Sequence, residues 1–325
     1  HHHRPGLQGE PGHHPGGGGS GRREEGTPGE TGRRRRRWLL ALAVLCCALG
    51  VSLGALALQR EPRGPADALG PEAAEPSAPQ AETLLPEPSP TPTEPPVQPL
   101  DLSAPAPAGE AVPEDWFGDA VFVGDSRSDG LRLYSGIQGA DFLAYRSLMS
   151  HQVVGTEGVE QKAIPRNGTG EKRTVLEWLE DRDYGKVYIM LGINEMGFGG
   201  PEGFQAAMGE IVDQVRARQP EAVVYVQSLV PVRPELAREM NPAEWLNNDN
   251  VAAYDQALRA VCEEKRAVYV DVAAALVGED GALPLEGTTD GVHFTRAWYE
   301  RWYECLRTHT VDPAAYWAGQ EAQEG

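Results

Sequence analysis

The 325-residue chain is acidic, with 29 Lys and Arg against 48 Asp and Glu and a formal net charge of −19. Residues 1–60 hold nine Arg and four Glu, a net charge of +5, so the remainder carries −24. Because binding to phosphate requires clustered Lys and Arg, so acidic a remainder excludes nucleic acid and anionic surfaces as expected partners.

Three segments precede the part of the chain that can fold. Residues 1–37 are rich in Gly, His and Arg, which predicts a disordered basic tail; its first three His could be a tag remnant. Residues 38–58 carry no charge and follow five consecutive Arg, which predicts a membrane-spanning anchor, since about 20 residues cross a bilayer. Residues 59–113 are mostly Pro, Ala and Glu and predict an extended spacer.

The anchor has one alternative, a cleavable signal peptide, although the apolar region of such peptides usually spans only about 7 to 15 residues. The arginines favour a cytoplasmic N-terminus. We therefore expect a single-pass protein of the cell membrane with an extracytoplasmic domain, or a secreted protein if the segment is cleaved.

One folded domain is predicted at 114–319, with a tail at 320–325. Short apolar runs predict five strands, at 120–123, 141–145, 186–191, 222–227 and 267–271. Helical patterns lie between and after them, at 171–180, 202–218, 249–265 and 295–308. This alternation predicts a three-layer α/β/α sandwich around a mostly parallel five-stranded sheet, with its chemistry at the carboxyl ends of the strands.

The first strand runs into Gly124–Ser128, with the sequence GDSRS. A Ser at a strand-to-helix turn presents its hydroxyl at the sheet edge, so Ser126 is a candidate nucleophile. The same residues are also typical of an ordinary helix cap. Ser128 is the alternative nucleophile, although it lies two residues further into the turn.

Two further motifs complete a candidate site. Gly192 and Asn194 follow the third strand, where the glycine allows a tight turn and the amide can donate to an oxyanion. Asp290 precedes His293 by three residues, a spacing that lets the carboxylate orient the imidazole as a general base. The alternatives are a plain turn for the first motif and a metal pair or surface His for the second.

Together, GDS after strand one, Gly-x-Asn after strand three and Asp-x-x-His before the last helix resemble the SGNH/GDSL hydrolase family over about residues 117–308. The segment YIMLGINE with DGVH looks like the extracytoplasmic, membrane-anchored branch of Gram-positive bacteria. The resemblance implies a flavodoxin-like SGNH hydrolase fold. It also implies that Ser126, Asp290 and His293 are catalytic, and that the amide of Asn194 and the N–H of Ser126 form the oxyanion hole.

The chain departs from the family pattern at two positions. Glu195 stands where the family usually has Asp, and we expect it to support the loop with a longer reach. The glycine of the family's second block is not evident, and by spacing Ser147 is the candidate for the backbone donor in its place.

The resulting hypothesis is a serine esterase that removes small acyl groups, acetyl above all, from a cell-envelope or extracellular polysaccharide. Its expected partners are an ester-bearing small molecule or an acylated glycan, and the membrane through residues 38–58. No cofactor and no metal are expected. The alternatives are an O-acyltransferase with the same triad and a non-catalytic glycan-binding module. A disulfide between Cys262 and Cys305 and the oligomeric state both stay open.

Overall fold

The computed structural model describes residues 93–240, 242 and 244–322. The predicted tail at 1–37, the predicted anchor at 38–58 and the spacer up to residue 92 lie outside these residues. Within the part of the chain that is described, no helix combines the length and the apolar character needed to cross a bilayer.

Five strands form a wholly parallel sheet in the order β2-β1-β5-β6-β7, and two more form a small antiparallel pair, β3 with β4. The strands are β1 Ala120–Gly124, β2 Asp141–Ala144, β3 Ala163–Pro165, β4 Lys172–Thr174, β5 Lys186–Met190, β6 Val223–Gln227 and β7 Val268–Val270. The five strands of the large sheet are the five that the sequence predicts, so the predicted α/β class is confirmed.

Nine α-helices lie in the described residues: α1 Ser126–Tyr134, α2 Ser150–Val154, α3 Val175–Trp178, α4 Gly200–Arg218, α5 Pro234–Met240, α6 Asn248–Lys265, α7 Ala273–Leu276, α8 Arg296–Thr308 and α9 Pro313–Glu321. Short 3₁₀ segments lie at Glu114–Asp119, Arg166–Gly168 and Leu285–Gly287. Three of the four predicted helices are confirmed as α4, α6 and α8. Cys262 on α6 and Cys305 on α8 are buried free thiols.

The predicted helix at 171–180 is wrong over its first half. Residues 172–174 form β4, which pairs with β3 in an antiparallel ladder. The helix begins only at Val175, because the Thr174 hydroxyl accepts from the Glu177 N–H while the Glu177 carboxylate accepts from the Thr174 N–H. This reciprocal cap fixes where the helix starts.

Side chains of the sheet alternate between two apolar cores, as the pleat requires. Val121 and Val123 on β1 face the core that contains α4 and α6, whereas Phe122 faces the core that contains α1 and α8. Both faces of the sheet are therefore covered, which gives the predicted three layers.

A ladder of four aromatic rings crosses the sheet on the α1/α8 face. Phe142, Phe122, Tyr188 and Tyr225 occupy paired positions on four neighbouring strands, with ring centroids 4.8, 4.8 and 4.4 Å apart and nearly parallel planes. Cross-strand pairs of this kind stabilise a sheet in one register. The ladder therefore helps to align the carboxyl ends of β2, β1 and β5, where the candidate site lies.

Residues 100–113, here called the strap, pack on the domain although the sequence assigns them to the spacer. The strap donates from Leu100 N to Ala315 O at 2.9 Å and from Gly109 N to Thr308 O at 2.7 Å. The N–H of Ala106 donates to the Tyr269 carbonyl on the edge strand β7 at 2.8 Å, and the Ala106 side chain is buried. The strap thus covers an edge of the sheet that would otherwise be open.

Ala106→Pro is expected to destabilise the fold, because proline cannot donate to the Tyr269 carbonyl. One lost hydrogen bond of this kind costs about 1 kcal/mol in the free energy of unfolding. Urea unfolding of a fragment spanning residues 93–325 measures it. Ala104→Pro is the matched control, since Ala104 is exposed in the same Pro-rich stretch. Equal stability of the two variants would contradict the role of the strap.

Candidate active site

Ser126 is the first residue of α1 and directly follows the turn at the end of β1. The Asp125 side chain caps this helix by accepting from the Arg127 N–H at 3.0 Å. Ser126 is half-buried, so its hydroxyl lies at the positive end of a helix and is still reachable from outside. The sequence-predicted turn is therefore present, with both a cap and a presented serine.

Ser128, the alternative nucleophile, lies fully buried beneath the turn. A Cβ placed on Gly124 would come within 2.0 Å of the Ser128 Oγ and 2.9 Å of the Met190 carbonyl. Gly124 is therefore required for the serine to fit against the strand. The geometry favours Ser126 over Ser128 as the reactive hydroxyl.

His293 and Asp290 lie in the loop that leads into α8. The Nε2 of His293 lies 2.8 Å from the Ser126 Oγ, across 167 residues of sequence. Its Nδ1 lies 2.6 Å from Asp290 Oδ2. With Nδ1–H donating to the carboxylate, Nε2 is left as the acceptor for the serine proton, which is the arrangement of a Ser–His–Asp relay.

Asp290 is fixed by hydrogen bonds from the backbone as well as from the imidazole. Its Oδ1 accepts from Val292 N at 2.8 Å and from His293 N at 2.7 Å. Burial alone would raise the pKa of Asp290, but the hydrogen bond and charge of His293, with the two backbone N–H groups, lower this pKa to about 2. Asp290 is therefore ionised throughout the neutral range and can stabilise an imidazolium.

Asn194 and Ser147 meet beside the end of β2. The Nδ2 of Asn194 donates to the carbonyls of Arg146 and Leu148, at 3.2 Å in each case. These two carbonyls flank Ser147, which is half-buried, and among the described residues the Ser147 N–H has no hydrogen-bond acceptor. The structure thus places the Asn194 amide against the loop segment that contains Ser147, and the role of both residues as oxyanion donors stays a prediction.

Gly192 holds the turn that carries Asn194. It has a φ of +132°, and a Cβ there would lie 2.9 Å from the Phe204 ring and 3.0 Å from Leu229. Both the backbone conformation and the close approach require glycine. The predicted supporting turn is present.

Glu195 reaches across to the start of α2, as its longer side chain allows. Its Oε2 accepts from Ser150 N at 2.6 Å and from Ser150 Oγ at 2.8 Å. Glu195 is fully buried, and this burial raises its pKa to about 8 in spite of both hydrogen bonds. A carboxyl group that is neutral at pH 7 therefore joins the Asn194 loop to the loop after β2.

The triad is accessible from the surface, since 35% of the His293 side chain is exposed.

Two surface cavities of about 360 and 450 Å³ lie away from the triad, one between α4 and α6 and the other beside Trp317. Among the described residues, no group of three or more His, Cys, Asp or Glu is arranged to hold a metal ion. The arrangement of Ser126, His293 and Asp290 is suited to nucleophilic attack on a carbonyl.

Residues 122–301 match the model of the GDSL-like lipase/acylhydrolase family, so this chain belongs to that family and is an SGNH-type hydrolase. No curated protein matches the chain significantly.

Solved structures similar to this chain include a protein from Streptococcus pneumonia provisionally named a platelet activating factor. It is 21% identical, with a TM-score of 0.45, over 58% of this chain and 81% of that one. A GDSL-like lipase from Bacteroides thetaiotaomicron is 16% identical, with a TM-score of 0.42, over 65% of this chain and 91% of that one.

The sequence did not predict two of the buried polar contacts at this site. Arg127 is fully buried and donates to backbone carbonyls in two other loops. Ser150 is the partner of Glu195. Arg and Ser side chains are usually solvated, and the sequence around Arg127 and Ser150 does not show that these two are buried. Their roles are visible only in the tertiary contacts.

Glu195→Gln is expected to flatten the dependence of stability on pH. Between the ordinary value of 4.5 and about 8, the folded protein keeps the Glu195 proton that the unfolded chain has lost. Raising the pH through this window therefore destabilises the wild type, by up to about 1.4 kcal/mol per unit. The variant should gain stability relative to the wild type as the pH rises from 5 to 8 and should keep that advantage above pH 8.

Urea unfolding between pH 5 and 9 measures this difference. Glu300→Gln, on the exposed side of α8, controls for the loss of one carboxylate. Parallel stability curves for the wild type and Glu195→Gln would show that Glu195 is already ionised in the folded state.

Proposed function

We propose that the protein is a serine esterase that removes small acyl groups, acetyl in particular, from a cell-envelope or extracellular polysaccharide. The observation that carries the catalytic part is the hydrogen-bonded relay from Ser126 through His293 to Asp290, in a chain of the GDSL family. The identities of the acyl group and of the polymer belong to this proposal.

The reaction begins when the Ser126 Oγ attacks the ester carbonyl as His293 Nε2 takes its proton. Asp290 stabilises the imidazolium through Nδ1–H. The bond from the carbonyl carbon to the alcohol oxygen then breaks, and Nε2–H returns the proton to the leaving alkoxide, which leaves an acyl-Ser126. Water attacks this acyl-enzyme by the same route, and Ser126 is regenerated with its proton.

The negative oxygen of the tetrahedral intermediate is stabilised by the N–H groups of Ser126 and Ser147 and by the amide of Asn194. The contacts of Asn194 support this role. Both of its bonds to the carbonyls of Arg146 and Leu148 are long, at 3.2 Å, and the one to Arg146 is exposed. An oxyanion is a stronger acceptor than a carbonyl, so the amide can redirect a hydrogen toward it.

A polymer-borne ester is favoured by where the chain enters the domain. The strap begins at α9, whose Tyr316 hydroxyl accepts from Arg216 at 3.0 Å and whose Gln320 donates to Arg266 O at 2.7 Å. These residues lie where α4 and α6 end, at the amino-terminal edge of the sheet. The triad lies at the carboxyl edge, so the described start of the chain leaves the edge with the triad open to a substrate as large as a polymer.

Ser126→Ala is expected to abolish release of p-nitrophenol from p-nitrophenyl acetate and butyrate, because no other described hydroxyl contacts His293 Nε2. Steady-state rates for the fragment 93–325 give the result, with circular dichroism as the check on folding. Faster turnover of acetate than of butyrate would support a short acyl pocket. Undiminished release in Ser126→Ala would disprove the serine mechanism, and no release from folded wild type would favour the transferase or the binding module.

Asn194→Ala is expected to lower kcat by about 10²–10³-fold with little change in KM, since an oxyanion donor acts mainly in the transition state. Ser147→Ala is the matched control. It keeps the backbone N–H at that position and should retain nearly all activity. A kcat for Asn194→Ala within about twofold of the wild type would show that Asn194 only holds the turn.

A further inference from the structure

Arg127, the residue after Ser126, has its side chain wholly inside the protein, with 0% exposure. Its Nε donates to the Val292 carbonyl at 2.9 Å, and its Nη1 donates to the Val230 carbonyl at 2.8 Å. The guanidinium carbon lies 5.0 Å from the centroid of the Phe294 ring. One side chain on α1 therefore contacts two loops that are 103 and 165 residues away in sequence.

These contacts involve the two residues that adjoin His293 in sequence. Val292 precedes it and Phe294 follows it, and Arg127 holds one by a hydrogen bond and the other by a cation–π contact. Val230 lies in the loop after β6, which also meets the His293 loop where Arg233 N donates to Gly291 O at 2.8 Å. Because Arg127 is covalently next to Ser126, its guanidinium ties the nucleophile and the base into one unit.

Burial of a guanidinium destabilises the folded state, because the ion loses its hydration. Only well-placed hydrogen-bond acceptors compensate for this loss. The burial lowers the pKa of Arg127, and the negative charges of Asp125 and Asp290 act in the opposite direction. An apolar side chain of similar size would fill the same space without this cost. What it could not do is bind two carbonyls at a fixed angle, which the planar fork of Arg does.

We propose that Arg127 is a positioning residue that sets the distance and angle between His293 and Ser126. The inference rests on the proposed function, in which these two side chains exchange a proton. Since the guanidinium is buried behind the loop, it acts on the reaction through His293 and not on the substrate.

Arg127→Lys and Arg127→Met test this role in the fragment 93–325. The matched controls are Arg216→Lys and Arg216→Met, because Arg216 also donates to two backbone carbonyls, those of Lys265 and Arg266, but at the opposite edge of the sheet. Three quantities are measured: kcat and KM for p-nitrophenyl acetate, the midpoint of thermal unfolding, and the low-field proton resonance of the His293 Nδ1–H bonded to Asp290.

Arg127→Met is expected to lower kcat on the order of 10²-fold with KM nearly unchanged, since small displacements of a catalytic group have effects of this size. The low-field resonance should shift or broaden. Arg127→Lys should recover part of the rate, because an ammonium can donate to one of the two carbonyls. The Arg216 variants should lose thermal stability while keeping the wild-type kcat and resonance.

Wild-type kcat in a folded Arg127→Met, or an equal loss of kcat in the Arg216 variants, would overturn the proposal. If Arg127→Met does not fold, Arg127→Lys decides by the same comparison with Arg216→Lys. If the wild type hydrolyses no ester, the proposed function fails, and the resonance still decides whether Arg127 positions His293. An unchanged resonance in Arg127→Lys would then overturn the positioning role independently.

Discussion

Neighbouring parallel strands end at the same edge of a sheet, and the site depends on this constraint. In the register of this protein, Gly124 at the end of β1 pairs with Ala144 on β2 and Met190 on β5. The loops that follow these strands carry Ser126, Ser147 and Asn194, so the sheet brings them together before any side chain interacts. A slip of one residue in this register would also turn the aromatic ladder to the wrong face.

Beneath these loops lies a layer of buried polar groups that the sheet alone would not require. Asp125 caps α1, Arg127 holds the His293 loop, and Glu195 joins the loops after β2 and β5. Burial raises the pKa of both Asp125 and Glu195. The hydrogen bonds of these groups hold one arrangement of the loops, although each group keeps one buried side-chain atom without a partner among the described residues. In this protein the apolar side chains on the two faces of the sheet form the cores, whereas the buried polar groups at its carboxyl edge hold the loops that carry the triad.

Local patterns in the sequence were enough to predict the five sheet strands and the three long helices, because each is a run or a period of apolar residues. The contacts among Ser126, Asp290 and His293 could be predicted because their motifs, when they occur together, indicate few arrangements other than a catalytic triad. Arg127, the Ser150–Glu195 contact and the strap could not, since their partners lie far away in sequence. The helix predicted at 171–180 failed for the same reason: β4 exists only because β3 is there to pair with it.

The central claim is that Ser126 is the nucleophile activated by His293, and covalent labelling tests it most directly. Fragment 93–325 would be incubated with a fluorophosphonate, and the adduct would be located by intact mass and peptide mapping. We expect one label per chain on Ser126, and we expect His293→Ala to lose this label while its thermal stability is unchanged. A label on Ser128 or another residue, or equally fast labelling of His293→Ala, would contradict it.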